Sequence, residues 1–228
     1  MNGIILFAVL PYIALFSLLL GSIYRYTYSG FQVSSLSSQF LESKQLYFGS
    51  RPFHWGIIFI FFGHLTAFLT PRAILAWNRV PLRLYILEIT AFAFGIMLFT
   101  GLVLLVVRRF KTKRLYGVTS KMDIIVYIIL IVQVVTGLWI AYFFRWGSSW
   151  FAMVLTPYVR SVFAFNPDII AVVQLPLMVQ VHIVSSFIMI GIVPFTRLMH
   201  FLVYPFAYLW RPYQLVIWNY RKKIEKCR

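Results

Sequence analysis

Five long apolar segments constrain the fold more than any other feature of this 228-residue sequence. A helix needs roughly 20 predominantly apolar residues to cross the hydrocarbon core of a bilayer. Hydrophobic residues make up 61% of the chain and charged residues only 11%, whereas about a quarter of the residues of a soluble domain are charged. The sequence therefore predicts an all-α polytopic membrane protein, a five-transmembrane-helix bundle that forms one domain over residues 1–228. The predicted spans are residues 4–23, 52–70, 85–107, 124–144 and 177–204.

Two features of the predicted spans and connections concern the shape of the bundle. The fifth span is longer than one bilayer thickness, so we expect it to tilt or to project from the membrane, with a kink near Pro194. The first connection is long and polar, which favours a short surface helix. The fourth connection, from residue 145 to about residue 176, is aromatic and sparsely charged. We expect it to lie across the outer surface as a cap.

Basic residues are distributed unequally between the connections. The first connection, the third connection and the C-terminal tail hold fifteen lysines and arginines, whereas the second and fourth connections hold five. Because cytoplasmic loops are enriched in Lys and Arg, we expect the N-terminus outside and the C-terminus in the cytoplasm. This topology explains the net charge of +16 without nucleic acid as a partner. The basic run RRFKTKR is a candidate contact for anionic lipid or for an acidic protein surface.

All four histidines lie within two of the apolar segments. His54 and His64 belong to the second segment, and His182 and His200 belong to the fifth. Ionisable side chains inside a bilayer are costly and usually face the bundle interior or a functional cavity. A hydrogen bond to a neighbouring helix explains one such histidine, but two pairs in two segments indicate a shared function.

The opposite directions of these two segments predict how the histidines pair. His54 and His200 both fall near the cytoplasmic side, whereas His64 and His182 fall nearer the outer side. In continuous helices, the rise is about 15 Å from His54 to His64 but about 27 Å from His182 to His200. We expect tilt, the Pro194 region and oblique ligation to absorb this difference.

Two stacked histidine pairs favour haem over a single metal ion. Zinc usually requires three or four converging ligands, whereas haem iron requires two axial ligands, a role that neutral imidazole suits. The single cysteine, Cys227, lies in the basic tail, and the chain has no Cys-x-x-Cys-His motif. We therefore predict two non-covalently bound, bis-histidine haems of the b type.

Several other side chains are candidates for contact with such haems. Arg197, one turn before His200, could pair with a haem propionate, although an interfacial snorkelling role is the alternative. Small residues near the histidines could leave room for a flat macrocycle or could serve ordinary helix packing. These residues are Gly56, Gly63, Ser185, Ser186 and Gly191.

Motifs spread along nearly the whole chain carry a resemblance to a known family. GSIYRY, FHWGIIFIFFGH, DIIVYIILIVQVVTGL and PFTRLMH resemble the membrane gamma subunit, or cytochrome b subunit, of respiratory nitrate reductase. The resemblance implies that His54 and His200 ligate an inner haem b, and that His64 and His182 ligate an outer one. It also implies oxidation of a quinol, menaquinol or ubiquinol, beside the outer haem. Electrons would pass to a cytoplasmic iron–sulfur subunit and then to a molybdenum subunit that reduces nitrate, at the cytoplasmic membrane of a prokaryote.

The chain departs from the family at the expected quinol site. The resemblance implies a lysine a few residues after a proline at the start of the third span. Here the corresponding sequence, PLRLYILE, begins with the proline but holds an arginine and a tyrosine where the lysine is expected. Glu88 is either an acceptor of quinol protons or an ion-pair partner of Arg83. The quinol-site candidates are Gly63, His64, Arg83, Tyr85 and Glu88.

Three other functions stay open at the level of sequence. Related haem b subunits serve heterodisulfide reductase-like complexes and complexes linked to sulfite reduction, and they would have a different terminal acceptor. A proton-relay transporter is less favoured, because the spans hold few polar residues beyond Glu88, Gln133 and Gln180. A purely structural anchor would leave the histidine pairs unexplained.

Overall fold

The computed structural model describes residues 2–29 and 44–202. These residues contain no β-strand, and they form five helices long and apolar enough to cross a membrane. The prediction of an all-helical, five-span membrane protein is therefore confirmed. The helices are α1 (Leu10–Ser29), α2 (Lys44–Leu69), α3 (Pro81–Lys111), α4 (Lys121–Phe143) and α5 (Leu177–Ile192).

Local sequence signals set several of the helix ends. Helix α2 begins at Lys44 rather than at residue 52, with Pro52 in its interior. Helix α3 begins with Pro81, where the missing N–H costs no intrahelical hydrogen bond. At the start of α4, the Ser120 hydroxyl accepts from the Asp123 N–H while the Asp123 carboxylate accepts from the Ser120 N–H, a capping box. The predicted surface helix of the first connection and the basic tail with Cys227 fall mainly or wholly outside the described residues.

The predicted fifth span, residues 177–204 with a kink near Pro194, is interrupted rather than kinked. Helix α5 ends at Ile192, and a 3-10 turn, Val193–Phe195, follows it. The backbone is extended at Thr196, and a second 3-10 turn, Arg197–Met199, leads to His200. Pro194 explains the break, because its ring clashes with the preceding turn and it has no N–H for the helix. His182 and His200 therefore do not share a helix, and the expected 27 Å rise between them does not apply.

The five helices pack in the order α2, α3, α4, α5 and α1. Helix α2 packs along α3, α3 packs against α4, and α5 packs against both α4 and α1. Within residues 2–29 and 44–202, α2 does not pack along either α5 or α1. The two segments that carry the histidines are therefore separated rather than in close contact.

Glycines bring α2 and α3 together. A Cβ on Gly56 would lie 2.7 Å from the backbone nitrogen of Leu98, and a Cβ on Gly101 would lie 2.4 Å from that of Phe53. Side chains at these positions would overlap with the neighbouring backbone, which is why small residues occupy close helix contacts in membranes. Gly56 thus serves helix packing, whereas a Cβ on Gly63 would meet nothing within 4 Å.

Residues 147–163, called the cap below, join helices that do not pack along each other. The Tyr158 hydroxyl donates to the Phe7 carbonyl of the turn preceding α1, at 2.8 Å. Arg160 donates to the carbonyls of Phe68 and Leu69 at the end of α2, at 3.2 and 3.3 Å. Burial raises the pKa of Tyr158 above its ordinary value, which keeps the phenol a neutral donor. The cap consists of Gly147–Trp150, a π-helical turn at Phe151–Leu155, and Thr156–Phe163.

Candidate functional site

The two histidines of α2 are oriented in the same way. His54 Nδ1 lies 2.7 Å from the Ser50 carbonyl oxygen, and His64 Nδ1 lies 2.8 Å from the Ile60 carbonyl oxygen. Because a carbonyl oxygen can only accept, Nδ1 carries the proton in both rings and Nε2 keeps its lone pair. Both side chains are exposed on the protein surface. Each Nε2 is therefore free to coordinate a metal.

His200 makes the same kind of Nδ1 hydrogen bond, but from a 3-10 turn instead of an α-helix. Its Nδ1 lies 2.7 Å from the Arg197 carbonyl oxygen, within the 3-10 turn that follows the break in α5. The ring is half-buried, and its Nε2 again keeps the lone pair. Hydrogen bonding of the second ring nitrogen to a carbonyl is the usual support of a metal-binding histidine.

Two arginines fix the broken segment that positions His200. Arg25 of α1 donates to the carbonyl oxygens of Pro194 and Thr196, at 2.6 and 3.0 Å. These carbonyls lie where the helical hydrogen-bond pattern is interrupted, so the guanidinium replaces donors that the helix no longer supplies. Arg197 makes an ion pair with Asp123 of α4 at 3.1 Å and donates to the Val118 carbonyl at 3.3 Å.

His182 differs from the other three histidines because α4 contacts both of its nitrogens. Its Nδ1 lies 3.0 Å from the Thr136 hydroxyl, and its Nε2 lies 3.1 Å from the Gln133 side-chain nitrogen. A Cβ on Gly137 would lie 3.1 Å from its Cε1. The half-buried ring of His182 therefore rests on one face of α4.

The structure joins neither of the predicted histidine pairs by a hydrogen bond. His54 and His200 each bond within their own segment, and no hydrogen bond joins two histidines in the described part of the chain. In the same residues, no three His, Cys, Asp or Glu side chains converge in the manner of a metal-ion site.

Glu88 pairs with a loop rather than with Arg83. Its carboxylate accepts hydrogen bonds from the Trp146 N–H at 3.0 Å, the Ser148 N–H at 3.2 Å and the Ser148 hydroxyl at 3.0 Å. The Arg83 guanidinium instead lies over the Trp77 ring, 5.2 Å from its centre. Glu88 therefore fixes the sharp turn after α4, in which Trp146 has a left-handed backbone conformation with φ 63°.

Two of the quinol-site candidates, His64 and Glu88, contact the cap or the turn that leads into it. The Phe151 ring in the cap contacts the His64 imidazole edge to face, with ring centres 5.4 Å apart. Glu88 holds the turn that leads into the same part of the cap. Tyr85 is exposed on α3, and Gly63 borders open space beside His64. Glu88 and His64 thus belong to one end of the bundle, linked through residues 146–151.

Several residues at this site were not recognised from sequence. Thr136 and Gly137 contact His182, and Asp123 and Arg25 hold the His200 segment. One signal for the first pair is present in the sequence. Gln133, Thr136 and Gly137 follow a spacing of three and four residues, so they share one face of an otherwise apolar helix. Arg25 and Asp123 had no such signal, because their partners lie far away along the chain.

Comparisons with known proteins agree with this architecture. The family model described as nitrate reductase gamma subunit matches residues 3–219. The chain is 35% identical to the nitrate reductase gamma chain of Bacillus subtilis (strain 168), over 98% of this chain and 100% of that protein. It is 32% identical to the respiratory nitrate reductase 1 gamma chain of Escherichia coli (strain K12), over 92% of this chain and 95% of that protein.

A longer protein also contains a similar region. The nitrate reductase-like protein NarX of Mycobacterium tuberculosis (strain ATCC 25618 / H37Rv) is 30% identical over 100% of this chain, which matches 35% of that protein. The family match spans most of the chain, and the two gamma chains are matched over nearly their whole lengths. The chain belongs to the nitrate reductase gamma subunit family, the membrane cytochrome b subunits of respiratory nitrate reductase.

Proposed function

We propose that this protein is the quinol-oxidising, dihaem b membrane subunit of a respiratory nitrate reductase complex. The observation that carries the proposal is the shared orientation of His54, His64 and His200, each of which donates Nδ1–H to a backbone carbonyl and leaves Nε2 free. Bound haem would supply one-electron chemistry at its iron. The chain would supply axial imidazoles, their orientation and an apolar surrounding.

The proposed haem ligands are His54 with His200 on the inner side, and His64 with His182 on the outer side. The separation of α2 from α5 supports this assignment, because a macrocycle ligated by both segments needs space between them. The open space at Gly63 supports the outer site in particular. The break at Pro194 is compatible with the assignment, because the rise of one continuous helix no longer sets the spacing of His182 and His200.

The proposed topology follows the distribution of basic residues. The N-terminus and the cap would face the outside, and the tail would face the cytoplasm of a prokaryotic cell. Quinol would be oxidised near His64, beside Gly63, Arg83, Tyr85 and Glu88. Electrons would then move inward while protons are released outside.

Partner subunits would complete the reaction. The relatives from B. subtilis and E. coli are named gamma chains of nitrate reductases, which supports a complex with an iron–sulfur subunit and a molybdenum subunit on the cytoplasmic side. Arg197 is a candidate for contact with a haem propionate, since it lies in the turn that leads to His200. The basic third connection is a candidate for contact with the partner or with anionic lipid.

A reduced-minus-oxidised spectrum of the purified complex tests the proposal. We expect a b-type haem signal from two haems per chain. His64→Ala or His182→Ala should remove the outer haem and quinol oxidation, while the partner subunits still co-purify. A spectrum without b haem, or quinol-dependent haem reduction that survives both substitutions, would refute the proposed function.

A further inference from the structure

The hydrogen bonds around His182 form a chain that begins at the Val132 carbonyl and ends at Ser185. The Thr136 hydroxyl donates to the Val132 carbonyl oxygen at 2.7 Å, which leaves its oxygen to accept from His182 Nδ1 at 3.0 Å. A carbonyl has no proton to offer, so while the Thr136 hydroxyl donates to Val132 its oxygen can only accept from His182. The proton of the imidazole is therefore placed on Nδ1.

The other nitrogen of His182 is engaged by an amide. With the proton on Nδ1, Nε2 can only accept, and it accepts from the Gln133 side-chain N–H at 3.1 Å. The oxygen of the same amide accepts from the Ser185 hydroxyl, which agrees with this orientation of the amide. The two amino acids of α4 thus bond to the two different nitrogens of one ring.

The three α4 residues that contact His182 lie on the same side of the helix. Gln133, Thr136 and Gly137 lie on one helix face, and the missing side chain of Gly137 leaves space for the ring. An interhelical contact that serves only packing would not require both nitrogens to be bonded with consistent directions. His54, His64 and His200 have no such side-chain partner on Nε2 in the described structure.

We propose that Thr136 and Gln133 are positioning residues for His182. The Thr136 hydroxyl fixes the proton on Nδ1. The Gln133 amide donates to Nε2 until haem iron takes the place of the amide. This inference rests on the proposed function for the ligand, but the arrangement of the imidazole can be tested without haem. A hydrogen bond from Nδ1–H raises the basicity of the ligating nitrogen, which favours the ferric state of the iron. Thr136 would therefore influence the potential of the outer haem.

The primary test compares Thr136→Val with Thr136→Ser. The valine variant should raise the midpoint potential of the outer haem and change its low-spin ferric EPR signal, while the inner haem stays unchanged. The serine variant should restore both properties, because it keeps the hydroxyl. The unchanged inner haem also shows that the bundle has folded.

A matched control exists on α3. The Thr100 hydroxyl makes the same pair of hydrogen bonds to its own helix, to the carbonyls of Ile96 and Met97, and no hydrogen bond to a histidine. Thr100→Val should therefore leave both haems unchanged. If Thr136→Val behaves like Thr100→Val in both potential and EPR signal, the proposed role of Thr136 is wrong.

Nitrogen-15 NMR of histidine-labelled, haem-free protein in membranes provides the second measurement. His182 should be protonated on Nδ1 in the wild type. Thr136→Val should add the Nε2-protonated form, and Gln133→Leu should shift the Nε2 resonance through loss of its donor. An unchanged His182 spectrum in both variants would overturn the inference. A wild type that shows the expected NMR spectrum but binds no haem would instead refute the proposed function alone.

Discussion

The Arg197 guanidinium and the Asp123 carboxylate lie 3.1 Å apart and join the turn before His200 to the first turn of α4. The Asp123 side chain is only 10% exposed and that of Arg197 is 26% exposed, so solvent and salt screen the pair only partly. Asp123 also completes the capping box with Ser120. One carboxylate therefore starts α4 and helps to position a proposed haem ligand.

Asp123→Asn should weaken this connection. We expect the free energy of unfolding to fall by roughly 1–2 kcal/mol, the scale of a hydrogen bond to a charged group. The potential of the inner haem should shift while that of the outer haem stays constant. Thermal denaturation and redox titration measure the two effects. Lys121→Gln, an exposed change on the same helical turn, is the control, and equal behaviour of the two variants would contradict the prediction.

Arg25→Gln should disturb the break in α5. The guanidinium is the donor to the carbonyls of Pro194 and Thr196, and an unpaired buried acceptor costs about 1–3 kcal/mol. We expect lower thermal stability and partial loss of the inner haem, measured as haem content per chain. Thr27→Val is the matched control, because the Thr27 hydroxyl bonds only to carbonyls of its own helix. Full inner-haem content in Arg25→Gln would show that the arginine is dispensable.

Gly101→Ala and Gly63→Ala should have opposite effects on stability. A Cβ on Gly101 would collide with the Phe53 backbone, so we expect a loss of about 1–3 kcal/mol from overpacking. A Cβ on Gly63 has open space around it, and alanine is the better helix former by up to about 1 kcal/mol. Thermal unfolding in detergent distinguishes the two variants. Similar losses in both would mean that the α2–α3 contact is not as close as described.

Glu88→Ala should loosen the turn between α4 and the cap. The substitution leaves the N–H groups of Trp146 and Ser148 without their acceptor, so we expect a loss of about 1 kcal/mol, the net value of a typical hydrogen bond at a partly exposed site. Glu88→Gln keeps one acceptor oxygen and should lose less. Stability and quinol-dependent haem reduction should fall in the same order. If Glu88→Gln keeps its stability but loses quinol oxidation, Glu88 acts as a proton acceptor instead.

Patterns that depend on nearby residues were readable from the sequence. Apolar length predicted the five spans, because the bilayer fixes how many apolar residues a helix needs. The sequence also showed that the four histidines lie in two spans, and the motifs around them resembled the family that the comparisons then established. Pro194 was recognised as a point of distortion, but its effect was underestimated. The segment becomes a helix, two 3-10 turns and an extended residue instead of one kinked helix.

Contacts between segments that are distant along the chain could not be predicted from the sequence. Gly56 was weighed as space for a macrocycle, yet it forms a close contact with α3 because the packing partner of α2 is α3 rather than α5. Glu88 was weighed as a partner of Arg83 on the same helix, yet it bonds to a turn about sixty residues away. In both cases the choice between alternatives depended on which helices are neighbours.

The sequence by itself determined the membrane class, the number of spans and the residue types available for iron ligation, since hydropathy and side-chain chemistry are properties of each segment alone. Only the tertiary structure decided the orientation of the imidazoles. The carbonyls of Ser50, Ile60 and Arg197 fix three of them through local backbone geometry. Thr136 and Gln133 fix His182 from another helix. A hydrogen bond depends on distance and direction in space, and for His182 these exist only after the helices have packed.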